Sequence, residues 1–291
     1  MAVAVARVGT LKCELGEGPV WDPVEAVLYF VDSLKPAIHR LDPATGALDS
    51  WDLPRPIGSL ALRAGGGAIV ALSDGLFGFD FATGALDPIA APEAGEPRTR
   101  FNDGKTDRQG RFVVGSMDRA TEAPLGALYR LDPDHTWQRL ESGITASNGP
   151  CFSPDGRTFY FTDSPTRKIH AYDYDPATGA IANKRVFVDL AEHHAAGDGA
   201  TVDADGGVWS ALVTRGRIAR FTAEGALDRV IEMPVRTVTS VQFGGPDLDR
   251  LFVTSLGCEI WGRVPPEEAA GGLFVIDGLD VTGLPEPRFA G

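Results

Sequence analysis

One unit recurs along the chain, and it restricts the fold more than any other feature of the sequence. Its clearest copy runs Asn148-Gly-Pro-Cys-Phe-Ser-Pro-Asp-Gly-Arg-Thr-Phe-Tyr-Phe-Thr-Asp163, continues as Lys168-Ile-His-Ala-Tyr-Asp173 and closes on Pro176-Ala-Thr-Gly179. The first copy matches it almost position for position: Glu17-Gly-Pro-Val-Trp-Asp22, Val27-Leu-Tyr-Phe-Val-Asp32, Ala37-Ile-His-Arg-Leu-Asp42 and Pro43-Ala-Thr-Gly46. Further copies start near Gly58, Asn102, Asp198 and Ser240. Six units at a period of roughly 40 to 50 residues, each with about four strand-length segments, are the signature of a β-propeller. Within a unit the second segment is a nearly continuous apolar run, as a strand buried between two neighbours requires, and the later segments alternate more. The Pro-Asp-Gly and Ala-Thr-Gly pieces are turn chemistry and carry no functional weight.

The expectation is therefore an all-β chain: a six-bladed β-propeller of four-stranded antiparallel blades, one domain over residues 1–291. The first unit begins at Glu17, which leaves residues 4–14, with Val5, Val8 and Leu11, to supply the outermost strand of the last blade. Closing the ring in this way ties the two ends together and removes exposed edges.

Composition excludes several classes of function. A net charge of -13 argues against nucleic acid or an anionic membrane as partner, since both attract basic surfaces. No apolar run is long enough to span a bilayer, and the start Met1-Ala-Val-Ala-Val-Ala-Arg7 is too short for a secretory leader, so a cytoplasmic protein, monomeric or weakly self-associating, is expected. Cys13, Cys151 and Cys258 are scattered, without CxxC spacing, and are expected to be buried reduced thiols rather than a disulfide or thiolate metal site.

A propeller unit begins on its innermost strand, so the residue just before each unit's first Gly lies at the channel mouth, all six in one ring. That position reads Glu17, Ile57, Asn102-Asp103, Asn148, Asp198 and, approximately, Thr239. Four of the six units thus aim a carboxylate or carboxamide oxygen at one axial point, and the Gly that follows allows close backbone approach. Each Asn-Gly or Asp-Gly taken alone is an ordinary turn dipeptide, and Glu17 alone could be a solvated loop charge. The turn explanation does not require four separate segments to converge, however. Oxygen ligands without thiolate suit a hard or borderline cation such as Ca²⁺, Mg²⁺ or Mn²⁺. His193-His194 is a poor rival, because adjacent side chains on extended backbone point to opposite sides and no HExxH accompanies them. No serine stands in a GxSxG elbow, and no P-loop is present.

With these residues in hand, the chain resembles the gluconolactonase family that includes regucalcin (senescence marker protein) and luciferin-regenerating enzyme. Leu15-Gly-Glu-Gly-Pro-Val-Trp21, Arg100-Phe-Asn-Asp-Gly-Lys105, Gly126-Ala-Leu-Tyr129, Ser147-Asn-Gly149, Asp198-Gly199, Phe243-Gly-Gly245 and Ala270-Gly-Gly-Leu-Phe274 carry the likeness, in family order. The resemblance implies a six-bladed propeller holding one divalent metal ion (Ca, Zn, Mn, Mg or Fe(II)) on Glu17, Asn148 and Asp198. It also implies substrate contacts at Arg100 and Asn102, and at Glu122 in a loop that is shorter here. The family usually has Pro before the metal-binding Asp-Gly, where this chain has Gly197.

The implied reaction is hydrolysis of a sugar lactone, the cation polarising the carbonyl. By resemblance Asp198 is the general base. A carboxylate held on a cation is a weakened base, so water acidified by the cation is the alternative route, with Asp103 the next carboxylate to consider. Two other readings stay open at this point: a metal-dependent organophosphate or aryl ester hydrolase, and a calcium-binding propeller without turnover.

Overall fold

Thr158–Asp163 shows how the repeat makes a blade. Side chains on a strand alternate between its two faces. Phe159 and Phe161 pack with Phe152 and Tyr172 in one cluster, while Tyr160 joins Leu212 and Phe221 in the next. Both faces of this strand are thus covered by neighbouring blades, which is why its sequence is apolar without alternation. The computed structural model describes residues 2–259 and 265–291. Among these, six four-stranded antiparallel sheets repeat the pattern, and the one helical element is the 3₁₀ turn Ser164–Thr166.

The innermost strands are Gly16–Asp22, Ile57–Leu62, Thr99–Thr106, Ser147–Phe152, Gly197–Val202 and Val238–Gly244, and they pack against one another around a central channel. Six apolar clusters fill the six junctions between blades. At the junction of the last and first blades, Trp21, Leu28 and Phe30 meet Phe252, Leu273 and Val275, with Trp21 stacked on Phe252 at 5.7 Å. The ring closes as expected from residues 4–14: Ala4–Val8 pairs antiparallel with Leu273–Asp277 and completes the sixth sheet.

The Ala-Thr-Gly turns are local capping devices. Asp42 accepts the Ala44 N–H at 2.8 Å and the Thr45 hydroxyl at 2.7 Å, and Gly46 takes the left-handed conformation, φ 76°. Asp80 and Asp175 repeat this arrangement. Cys13 and Cys151 are buried as expected, but Cys258 is partly exposed, because it stands in the loop after Arg250–Ser255, the second strand of blade 6, rather than packing between blades.

Residues 283–291, unassigned from the sequence, cross the face opposite the mouth. Gly283 bridges Asp203, Phe289 bridges Arg63 and is fully buried, and Arg288 donates to both oxygens of Asp22 at 2.8 Å. Glu286 reaches into the channel beside Lys105, at 3.3 Å. The channel is thereby floored on that side. Among the described residues no helix is long and apolar enough to cross a membrane.

Candidate active site at the channel mouth

Every innermost strand breaks register with its neighbour at the same place: between Glu17 and Val20, Ile57 and Ser59, Phe101 and Gly104, Asn148 and Cys151, Gly197 and Ala200, and Val238 and Val241. Such bulges re-aim side chains and recur next to functional sites. Here they let six backbones crowd together at one level. A Cβ on Gly149, which sits at φ 55°, would lie 2.7 Å from the Asp198 carbonyl oxygen. One on Gly58 would lie 2.3 Å from that of Asn102. At Gly58 and Gly149 the glycine that follows the ring position is therefore a packing requirement.

Above this level opens a cavity of ≈ 380 Å³. It brings together Glu17, Arg100, Asn102, Asn148 and Asp198, from four different blades, with Thr239 from a fifth. Glu122 does not line it: that side chain is exposed, and its N–H caps Asp118 at 2.9 Å, while Ala120 and Thr121 of the same turn do reach the wall. His193 and His194 do not line it either. His193 packs on Phe221 at 5.8 Å, and His194 gives its carbonyl to Arg215. Asp103 turns the other way, into a small cavity of ≈ 30 Å³ lower in the channel that Lys105 and Glu286 also line. Its oxygens accept the Gly104 N–H at 2.8 Å and the Gly149 N–H at 2.9 Å.

A continuous hydrogen-bond chain orients the polar wall. Arg100 donates to Asn102 Oδ1 at 2.6 Å, and Asn102 Nδ2 donates to the Ser147 carbonyl at 2.7 Å and to Asn148 Oδ1 at 2.8 Å. Asn148 Nδ2 donates to Ser164 Oγ at 2.8 Å, which donates to the Gly197 carbonyl at 2.6 Å. The carbonyl acceptor at Ser147 fixes which end of the Asn102 amide is nitrogen. Asn102 has thus spent both donors and keeps only acceptor capacity at Oδ1. Ser164 and Thr121 escaped the sequence reading because they stand on loops after a blade's second strand, outside the ring phase.

The electrostatics are those of an uncompensated anionic site. Burial, then repulsion from Asp198 and Asp103, pushes Glu17 well above the usual carboxylate range. Burial, then Asp103, does the same to Asp198, against the Gly199 N–H and Arg100. Burial raises Asp103 to about 6 although Lys105 opposes it. Burial also lowers Arg100 to about 10, partly offset by Glu17. Three carboxylates near one guanidinium cannot all ionise cheaply, and a divalent cation would relieve that strain. The donor set fits one: two carboxylates and an amide whose Oδ1 keeps a second lone pair, all hard oxygens. Among the described residues no three histidine, cysteine or acidic side chains form a cage, so an ion here would draw on Asn148.

Comparison with known proteins places this architecture. A family model described as SMP-30/Gluconolactonase/LRE-like region matches residues 15–257. A pentonolactonase of Haloferax volcanii is 38% identical over 291 aligned residues, covering 98% of this chain and 98% of its own. The structure of a luciferin-regenerating enzyme superposes with a TM-score of 0.92 at 28% identity, covering 100% of both chains. That of a calcium-binding regucalcin from Agrobacterium tumefaciens does so with 0.91 at 31% identity, covering 99% of this chain and 98% of its own. Repeat, ring of oxygen donors and these likenesses agree: the chain belongs to the SMP-30/gluconolactonase/LRE-like family.

Proposed function

We propose that this lactonase depends on one divalent cation, held by Glu17, Asn148 and Asp198, and opens the ring of a sugar lactone to the aldonic acid. The observation that carries the reading is the convergence of two carboxylates and an amide oxygen beside the Arg100–Asn102 pair in one cavity. A purely structural ion would not need that adjoining polar wall. The pentonolactonase relative supports the substrate class and the calcium-binding regucalcin supports the cation.

When bound, the cation supplies an electrophile for the lactone carbonyl and for the charge that develops on its oxygen. Arg100, anchored through Asn102, keeps further N–H donors for substrate oxygens. Asn102 accepts from a ring hydroxyl and has no N–H left for the carbonyl. Asp198 takes a proton from the attacking water. The water oxygen bonds to the acyl carbon, and the acyl carbon–ring oxygen bond breaks. The proton taken by Asp198 passes to the ring oxygen to give the alcohol, and the acid formed loses its proton to solvent to give the carboxylate. The partly apolar cavity limits competing water.

The test is a panel of aldonolactones, aryl esters and organophosphates assayed with Ca²⁺, Mn²⁺, Mg²⁺ or Zn²⁺, with chelator, and without enzyme, because aldonolactones open spontaneously. Cation-dependent acceleration confined to lactones is expected. Acceleration that persists in chelator, or that is confined to the esters, would refute the proposal.

A further inference from the structure

Phe112–Asp118 carries blade 3 to the mouth, and the turn after it places Arg119 in the cavity wall. This arginine is held at both ends. Its backbone N–H donates to the Arg98 carbonyl at 2.8 Å, and its Nε donates to the Pro97 carbonyl at 3.0 Å. Asp118 beside it caps the Ala120, Glu122 and Ala123 N–H groups, and Thr121 is fixed at φ 60°, where a β-branched residue is strained. The loop that receives Arg119 is pinned in turn. Glu93 accepts hydroxyls from Ser116 at 2.6 Å, Tyr129 at 2.7 Å and Thr99 at 2.7 Å.

With Nε committed to a carbonyl, the terminal nitrogens remain, and among the described residues no carboxylate pairs with them. An exposed arginine ordinarily needs no partner, because water serves. This one differs in being tethered in the wall of a cavity whose other guanidinium, Arg100, lies near enough to feel its repulsion. The ionisable side chains of that wall are Glu17, Asp198, Arg100 and Arg119. The four balance, and Asp103, which repels Glu17 and Asp198 from the lower channel, makes the count one negative, so a divalent cation would leave one positive charge in excess. A neutral lactone would leave that excess unanswered.

The geometry points to Arg119 as a specificity-determining residue for a lactone that carries an oxyanion, carboxylate or phosphate, on a carbon remote from the ring carbonyl. The inference rests on the lactonase reading of this cavity. The two terminal nitrogens offer a planar pair of donors that a carboxylate or phosphate can match and a lone ammonium cannot.

The test uses the full chain loaded with its cation and three lactones of one ring size: a neutral hexonolactone, a hexarolactone with a terminal carboxylate, and a 6-phosphohexonolactone. The wild type should prefer at least one anionic lactone, which identifies the oxyanion. Arg119→Gln should cut that preference, as a ratio of kcat/KM values, by about 10- to 100-fold, mainly through KM, with Arg119→Lys between. A readout without turnover is calorimetric titration of the ring-opened products, where Arg119→Gln should weaken the anion-bearing product by a similar factor relative to the plain aldonate. Equal handling of all three lactones by the wild type, or a preference that survives in a folded Arg119→Gln, overturns the role of Arg119 and leaves the lactonase reading intact. If no lactone is hydrolysed, the lactonase reading fails instead, and the product titration alone decides Arg119.

Discussion

Removing the cation should make the protein's stability fall with pH in a way its presence prevents. Without a cation, Asp103 is raised from 3.8 to about 6. A carboxyl with a raised folded pKa contributes stability that is fully present below its unfolded pKa and is lost as pH rises through the folded one. For Asp103 that loss totals about 3 kcal/mol, about 1.4 kcal/mol of it between about pH 5 and pH 7.5. Glu17, raised by burial and then by Asp198 and Asp103, and Asp198, raised by burial and then by Asp103, act with the same sign. His39 and His170, lowered by burial, act oppositely, but they do so with or without the cation and cancel in a difference. Urea unfolding with chelator and with saturating cation, from about pH 5 to pH 7.5, gives that difference directly. The stabilisation by cation should grow across this range through Glu17 and Asp198, which hold the ion, with Asp103 adding at most about 1.4 kcal/mol from below the mouth. A difference that is flat or shrinks with pH would show that Glu17 and Asp198 do not hold the ion.

Asp198→Asn keeps an oxygen of nearly the same shape but loses charge and basicity. At saturating cation its lactonase rate should fall by ~10²- to 10⁴-fold. A rate that returns to near wild type as cation is added would make Asp198 a ligand only. Arg100→Ala should raise KM or lower turnover while calorimetry still finds one cation site, whereas loss of the cation from a folded variant would assign Arg100 a structural role. Gly149→Ala places a Cβ 2.7 Å from the Asp198 carbonyl oxygen at a left-handed position. It should cost about 2 kcal/mol or more in unfolding experiments and weaken cation binding as well. A change below about 0.5 kcal/mol would show that the inner strands can separate without penalty.

The blades and the ring were legible because each repeat carries its own strands and turns. The Asp42, Asp80 and Asp175 caps form within a few residues, and the alternation that sends Phe159 and Tyr160 to different neighbours is local. Repeat phase then told where Glu17, Asn102, Asn148 and Asp198 would stand, since equivalent positions of a closed ring share one level. It could not tell which way a side chain turns at a register break. Asn102 and Asp103 are consecutive, yet the bulge between Phe101 and Gly104 sends one to the mouth and the other into the lower channel. Nor could it tell that Asn102 spends both its N–H groups on Ser147 and Asn148, or that Arg119 is tethered to Pro97 rather than free in solvent. The floor made by residues 283–291 was equally hidden, for Phe289 and Arg288 find partners more than two hundred residues earlier in the chain. Periodicity determines elements and their level in the ring because it is written into neighbouring residues. Facing, hydrogen-bond commitment and loop contacts join distant segments, and only the folded ring decides them.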